Sequence, residues 1–463
     1  MRRLRLSGFV TRALASLVGG ALLMFGLGAP PAAAVPAFAV QTGQPCQACH
    51  VGGFGPQLTP FGRSFKLHGY TPRTNTFNVP LSAMAVASFV NTAKAQPPTH
   101  GFAANNNFAL DQISLFFAGG LGSHVGAFIQ TTYDGISRAF TWDNLDVRAT
   151  TTFQVKDADV VVGASLNNNP TVQDAWNTTP AWGYAYTSSA LAPSPSASPL
   201  FAGGLAQTSL GVTAYAWINS EFFLEGGAYG SPGATALVHL GADPTAPGSI
   251  KGLAPYGRIA FQHEVGGGTL EVGAFGMQAS IYPGLDRSLG QTDDFTDLGV
   301  DASYIKTLGS GDVVTVNGRY THERQNLKYT CATAALDAGA NGIACPTGND
   351  MNDVRIDASY YWRNKIGGTV QVFNTSGSSN PYAYGYLNGF RTNKPESTGV
   401  TLQLDGTPFG GATDGPLGHR FNIRAGVQYT FYTQFNGAGS NWDGAGAKAS
   451  DNNTLRVFTW IAY

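Results

Sequence analysis

Between Phe421 and Phe431 the chain alternates without a break. Phe421, Ile423, Ala425, Val427, Tyr429 and Phe431 fall on one side, and Asn422, Arg424, Gly426, Gln428 and Thr430 on the other. A period of two marks a strand whose two faces meet different surroundings. The pattern recurs where Val354, Ile356, Ala358 and Tyr360 oppose Asp353, Arg355, Asp357 and Ser359. It recurs again where Val314, Val316 and Tyr320 oppose Thr315, Asn317 and Arg319, and where Val400, Leu402 and Leu404 oppose Thr401, Gln403 and Asp405. About sixteen such stretches can be counted, near 81–91, 107–118, 123–133, 145–155, 158–166, 207–217, 221–230, 256–264, 269–278, 296–306, 312–323, 353–362, 368–375, 398–405, 419–432 and 454–463. Alternation alone does not say which face is inside. A water-soluble sandwich buries its apolar faces, whereas a barrel in lipid turns them outward.

The connections separate the two. Tight turns at 119–122, 156–157, 219–220, 266–268 and 309–311 alternate with long polar segments at 92–106, 134–144, 167–206, 231–255, 279–295, 324–352, 376–397 and 433–453. That is the habit of outer-membrane barrels. Only 406–418, long where a short turn is due, departs from it. Charged residues make up 12% of the chain, about half the share in ordinary soluble domains, and glycines number 60. No apolar run after the N-terminus approaches the roughly 20 residues of a spanning helix. An extracellular β-helix or sandwich is the alternative. Leu455, Val457, Thr459, Ile461 and Tyr463 share one face at the end of the chain, as in outer-membrane barrels. An even strand count returns both ends of the barrel to one side, the periplasm.

The N-terminus reads as an export signal. Arg2, Arg3, Arg5 and Arg12 precede an apolar core at 14–27 and the small residues Ala32–Ala34, so residues 1–34 are expected to be removed. Without those four arginines, 23 basic residues face 28 acidic ones. The mature chain is then mildly acidic, which argues against nucleic acid as a partner.

Residues 35–79 have no strand pattern and precede the barrel segment 80–463. They contain Cys46-Gln47-Ala48-Cys49-His50, the attachment signature of a c-type haem. Cys46 and Cys49 would tether one haem, and His50 would be the proximal iron ligand. A thiol redox pair or half a zinc site also uses Cys-x-x-Cys, but the adjoining His50 and the export signal select haem. His68 is a candidate distal ligand, with Met84 and His100 further off, and Arg63 and Lys66 are candidate propionate partners. A short helix is expected at 60–67. So small a segment does not bury a haem unaided. The expected fold is therefore all-β: an antiparallel outer-membrane β-barrel of about sixteen strands, with a small N-terminal haem plug in its lumen.

Two further features invite chemistry. Arg258, Glu264, Glu271, Asp301, Arg319, Glu323, Asp353, Arg355, Asp357, Arg420 and Arg424 lie on inward faces, either to dock the plug or to wet a lumen. Asp134, Asp143, Asp174, Asp243, Asp286, Asp293, Asp294, Asp337 and Asp350, with His239, supply hard oxygen ligands for a transient ferrous ion, or a solvated outer surface. Cys331 and Cys345 are expected to close a loop by a disulfide in an oxidising compartment.

Residues 35–70 resemble the fused monohaem cytochrome–porin family of the outer membrane, whose best-known members are iron oxidases of iron-oxidising bacteria. The resemblance rests on Val35-Pro36-Ala37-Phe38-Ala39, Gln41-Thr42-Gly43, the Cys46–His50 motif, Pro56-x-Leu58, Phe61-Gly62-Arg63-x-Phe65-Lys66 and Gly69-Tyr70; the barrel matches in length and texture. It implies an Fe(II):cytochrome c oxidoreductase that passes electrons to a periplasmic carrier such as a c-type cytochrome. A passive porin with a haem-bearing plug, and a conduit for another donor such as reduced sulfur or a solid electron source, stay open. Oligomeric state is not legible.

Overall fold

The computed structural model describes residues 37–74, 80–99, 101–336, 343–385, 389–411 and 421–463. The expected signal segment 1–34, His100, Asp337 and Arg420 lie outside them.

Sixteen antiparallel strands close into a barrel. In chain order they are β1 Leu81–Thr92, β2 Asn107–Gly120, β3 Val125–Asp134, β4 Ala139–Val155, β5 Ala158–Asn167, β6 Leu210–Ile218, β7 Phe222–Gly230 and β8 Ala254–Val265. They continue as β9 Gly268–Pro283, β10 Asp293–Thr307, β11 Val313–Leu327, β12 Gly348–Trp362, β13 Ile366–Gly377, β14 Ser397–Gly406, β15 Asn422–Gln434 and β16 Thr454–Ala462. Each pairs with its neighbours in sequence, and β16 closes on β1 from Met84↔Ala462 to Thr92↔Thr454. A three-residue strand, Gly248–Ile250, adds to the end of β9. No helix among the described residues is long and apolar enough to cross a membrane.

The faces run opposite to those of a soluble sandwich. Leu404 is 71% exposed and Leu224 59%, while Asp146, Glu323 and Asp353 inside the barrel are fully buried. Outward side chains form an apolar belt suited to lipid. Inside, charges neutralise one another: Arg258 meets Glu271 at 3.0 Å and Asp301 at 2.8 Å, Arg424 meets Asp405 at 2.8 Å, and Arg319 meets Asp353 at 3.1 Å. Such pairing is what a buried charge requires.

One rim is built of tight turns, except for the long connection between β14 and β15. At Gly266–Gly267 and at Arg363–Asn364 both central residues have positive φ, the geometry that matches the twist of a two-residue hairpin. β1 begins and β16 ends at this rim. The opposite rim carries the long loops, and one of these connections is shorter than expected. The segment 134–144 is not a long loop. The Asp134 carboxylate accepts the N–H groups of Ile136 and Ser137, which closes the turn and lets β4 start at Ala139.

Residues 37–74 occupy the lumen. Helix α1 covers Ala37–Thr42, α2 is the single turn Cys46–Cys49, and α3 is Pro60–Leu67, the helix expected at 60–67. Thr59 caps α3 by accepting the Gly62 N–H (3.3 Å), and Pro60 supplies a first residue already set for a helix. The buried face of α3 holds Arg63, Phe65, Lys66 and Leu67.

Candidate functional site

Hydrogen bonds tie this segment to walls on several sides. Near the short-turn rim, the Asn364 side chain accepts the Gly52 N–H (2.6 Å) and donates to the His50 carbonyl (3.0 Å). Arg424 donates to the Phe54 carbonyl (2.6 Å). On the far wall, Tyr70 donates to Asp146 (2.6 Å), Arg148 to the Lys66 carbonyl (3.1 Å) and Tyr215 to the Leu67 carbonyl (2.7 Å). The plug is thus held from β4, β6, the β12–β13 turn and β15.

The lumen holds a second insertion. The connection after β5, residues 168–209, does not reach outward as the sequence suggested. It folds inward, and Asn168–Thr179 are buried. Asp174 comes within 3.6 Å of Arg258, Thr178 donates to Asp301, and the N–H groups of Leu200 and Phe201 donate to Glu323 and Asp297. The Asn177 side chain donates to the plug at the Pro56 carbonyl (3.0 Å) and accepts the Leu58 N–H (2.8 Å). Two of the chain's seven tryptophans, Trp176 and Trp182, stand in this connection together with Tyr184 and Tyr186. That aromatic load is the signal that could have marked it as buried.

Plug, wall and infolded loop leave a cavity of about 350 Å³ between them. Cys46, Cys49 and His50 border it from the plug. Its walls are largely apolar and include Phe54 and Phe65 from the plug, Phe116, Phe128 and Trp460 from the barrel and Trp182 from the loop. Gln112, Gln130, Asn144 and Lys66 supply polar lining. Gly62 brings α3 against the motif: a Cβ there would stand 2.3 Å from the Cys49 carbonyl oxygen.

The chemistry of these residues fits a covalently tethered haem. Neither Cys46 nor Cys49 is in a disulfide. Burial pushes both up, Cys49 to about 12, the reverse of what a nucleophilic redox pair needs. Burial also lowers His50 to about 4, so its imidazole is neutral near pH 7, the form that ligates a metal. Among the described residues no three His, Cys, Asp or Glu side chains converge on a metal-sized site. The hydroxyl of Tyr186, on the cavity wall, is buried without a partner.

The other expected site residues divide. Lys66 borders the cavity, where its ammonium donates to the Val172 carbonyl (2.7 Å) and lies 4.8 Å over the Trp182 ring. Arg63 leaves the same helix on another side and donates to Ser303 on β10 (2.9 Å), so it faces the wall and not the cavity. His68 is also turned away. Its Nδ1 bonds the Ser64 carbonyl one helical turn back (2.8 Å), and its ring meets Trp217 edge-on. Met84 does reach the cavity. The aspartates do not gather: Asp174 is in the lumen, Asp143 borders the cavity, and Asp243 and Asp286 are in separate outer loops. Cys331 and Cys345 are joined by a disulfide.

No protein-family profile matches the chain, and comparison with curated proteins finds no match. Among solved structures it is similar to an anion-selective porin from Comamonas acidovorans (12% identity, 83% of this chain and 98% of that one, TM-score 0.42). It is also similar to in-vitro folded OmpT of Vibrio cholerae (10% identity, 84% and 99%, TM-score 0.40) and to Salmonella typhi OmpF in complex with daunomycin (12%, 83% and 98%, TM-score 0.40). At these values the likeness is one of barrel outline, and the barrel rests on its own closed strand ladder.

Proposed function

We propose that the chain is an outer-membrane electron conduit that oxidises extracellular Fe(II) and passes the electron to a periplasmic c-type cytochrome. The observation that carries this reading is the position of the cavity: it opens on Cys46, Cys49 and His50 inside a closed barrel. The haem, when bound, supplies one-electron chemistry. Cys46 and Cys49 would hold it by thioether bonds, and His50 would ligate its iron from the plug.

The remaining residues position and insulate. Asn364 and Arg424 fix the backbone of the motif and of the residues that follow it, and the apolar walls would keep water from the macrocycle. Lys66 stands where it can neutralise a propionate. The short-turn rim, where the motif is docked, would face the periplasm, where haem is attached and the acceptor resides. Within the infolded loop Tyr186, on the cavity wall, packs edge-on against Tyr184, with 5.4 Å between centroids. A lumen filled by plug and loop suits electron passage better than free solute diffusion. The test is haem attachment followed by mixing with Fe(II). Haem that resists acid–acetone extraction and is reduced by Fe(II) within seconds supports the reading. Extractable haem, or haem inert to Fe(II), refutes it.

A further inference from the structure

We infer that the sixth iron ligand comes from the barrel wall and is the thioether of Met84. The inference rests on the haem reading above, but on different residues.

β1 turns its even-numbered residues inward. Ser82, Val86, Ser88 and Val90 are all buried against the plug or neighbouring strands. Met84 lies on the same face yet is only half-buried, because it borders the cavity. His50 reaches that cavity from the plug, Met84 from the wall.

The Met84 sulfur is held in place. Trp460 Nε1 on β16 donates to it at 3.1 Å. A thioether sulfur has two lone pairs, so this bond occupies one and leaves the other for iron. Trp460 in turn packs edge-on against Phe54, four residues after His50, with centroids 4.9 Å apart. The segment that carries the proximal ligand therefore touches the residue that orients the distal one.

The other ligating groups around the cavity are engaged. Lys66 donates to Val172, Tyr70 to Asp146, and the Asp143 carboxylate accepts from Thr132 and Gln207. His68 does not border the cavity. Among the described residues that border the cavity, Tyr186, whose hydroxyl has no partner, competes with Met84.

A wall-borne ligand has two consequences. Histidine–methionine ligation raises the potential of a c-type haem, which suits a donor as weakly reducing as Fe(II). The Trp460 N–H draws electron density from the sulfur and acts in the same direction. The ligand set is also complete only when the plug is seated.

The experiment uses the full-length, haem-loaded protein and its Met84→Leu and Trp460→Phe variants, with barrel folding checked by heat-modifiable gel mobility. Wild type should be low-spin, show the red-end charge-transfer band of a ferric thioether ligand, and bind CO poorly when reduced. Met84→Leu should lose that band, bind CO readily and fall in potential. Trp460→Phe should keep the band but shift it and lower the potential. A wild-type spectrum without the band overturns the inference even if Met84→Leu does not fold, and so does a Met84→Leu spectrum identical to wild type. Loss of low-spin character in Tyr186→Phe, with Met84→Leu unaffected, would assign the ligand to Tyr186 instead. Covalent haem on a denaturing gel separates the two readings. Its presence with a failed Met84 test leaves the conduit standing, and its absence overturns both.

Discussion

Gly62 and Cys49 touch through backbone alone: no side chain of any size fits between the first turn of α3 and the haem-motif carbonyl. The contact fixes the helix relative to the turn that carries Cys46 and Cys49. Gly62→Ala would place a carbon 2.3 Å from the Cys49 oxygen, an overlap with rigid backbone that only a shift of α3 can relieve. Overpacking of this kind costs about 1–3 kcal/mol or more. The expected result is a several-fold drop in covalently attached haem at unchanged barrel yield, read by haem staining against total protein.

Asn364 anchors the plug at the short-turn rim. It sits at φ +53° in a tight turn, so Asn364→Gly keeps the turn while removing hydrogen bonds to Gly52, Gln47 and His50. At about 0.5–1.5 kcal/mol each, the plug should be looser by a few kcal/mol. Limited proteolysis within residues 37–74 should accelerate at least tenfold while the barrel stays resistant.

Burial, with Arg148 adding to it, pushes Lys66 down to about 7 from its ordinary 10.5. The unfolded chain therefore binds the extra proton across the window from about 7 to 10.5, and stability rises with pH there, by at most about 1.4 kcal/mol per pH unit. Below that window the full cost of burying the ammonium is present. Denaturation of the haem-free Cys46→Ser/Cys49→Ser protein should show this slope, and Lys66→Met should flatten it. If a propionate sits beside Lys66, the haem-loaded protein should lack the slope as well.

His68→Ala should leave the visible spectrum of the haem unchanged, because the ring is committed to Ser64 and Trp217. Stability should fall by roughly 1 kcal/mol, the worth of one hydrogen bond. A shifted Soret band in this variant would contradict the placement.

Much of the architecture is legible in the chain. Lipid outside and charge inside impose a strict period of two, so stretches such as 312–323 and 353–362 stand out, and each pairs with its neighbour in sequence. The plug helix is legible because Thr59 and Pro60 announce its start locally. What the chain hides is set by long-range packing. The fate of 168–209 depends on Arg258, Asp301 and Glu323, carried on strands far along the sequence. The direction of His68 is decided by a bond one turn back, and that of Arg63 by Ser303, some 240 residues away. Met84 could be named but not ranked, because only barrel closure brings β16, with Trp460, beside it.

One haem at Cys46–His50 is proposed to link the two rims of the barrel. The most direct measurement uses vesicles loaded with oxidised cytochrome c, carrying the protein in their membrane, with Fe(II) added outside. The haem-loaded protein should reduce the enclosed cytochrome, and the Cys46→Ser/Cys49→Ser variant should not. Equal reduction by both, or none by the haem-loaded protein, would contradict it.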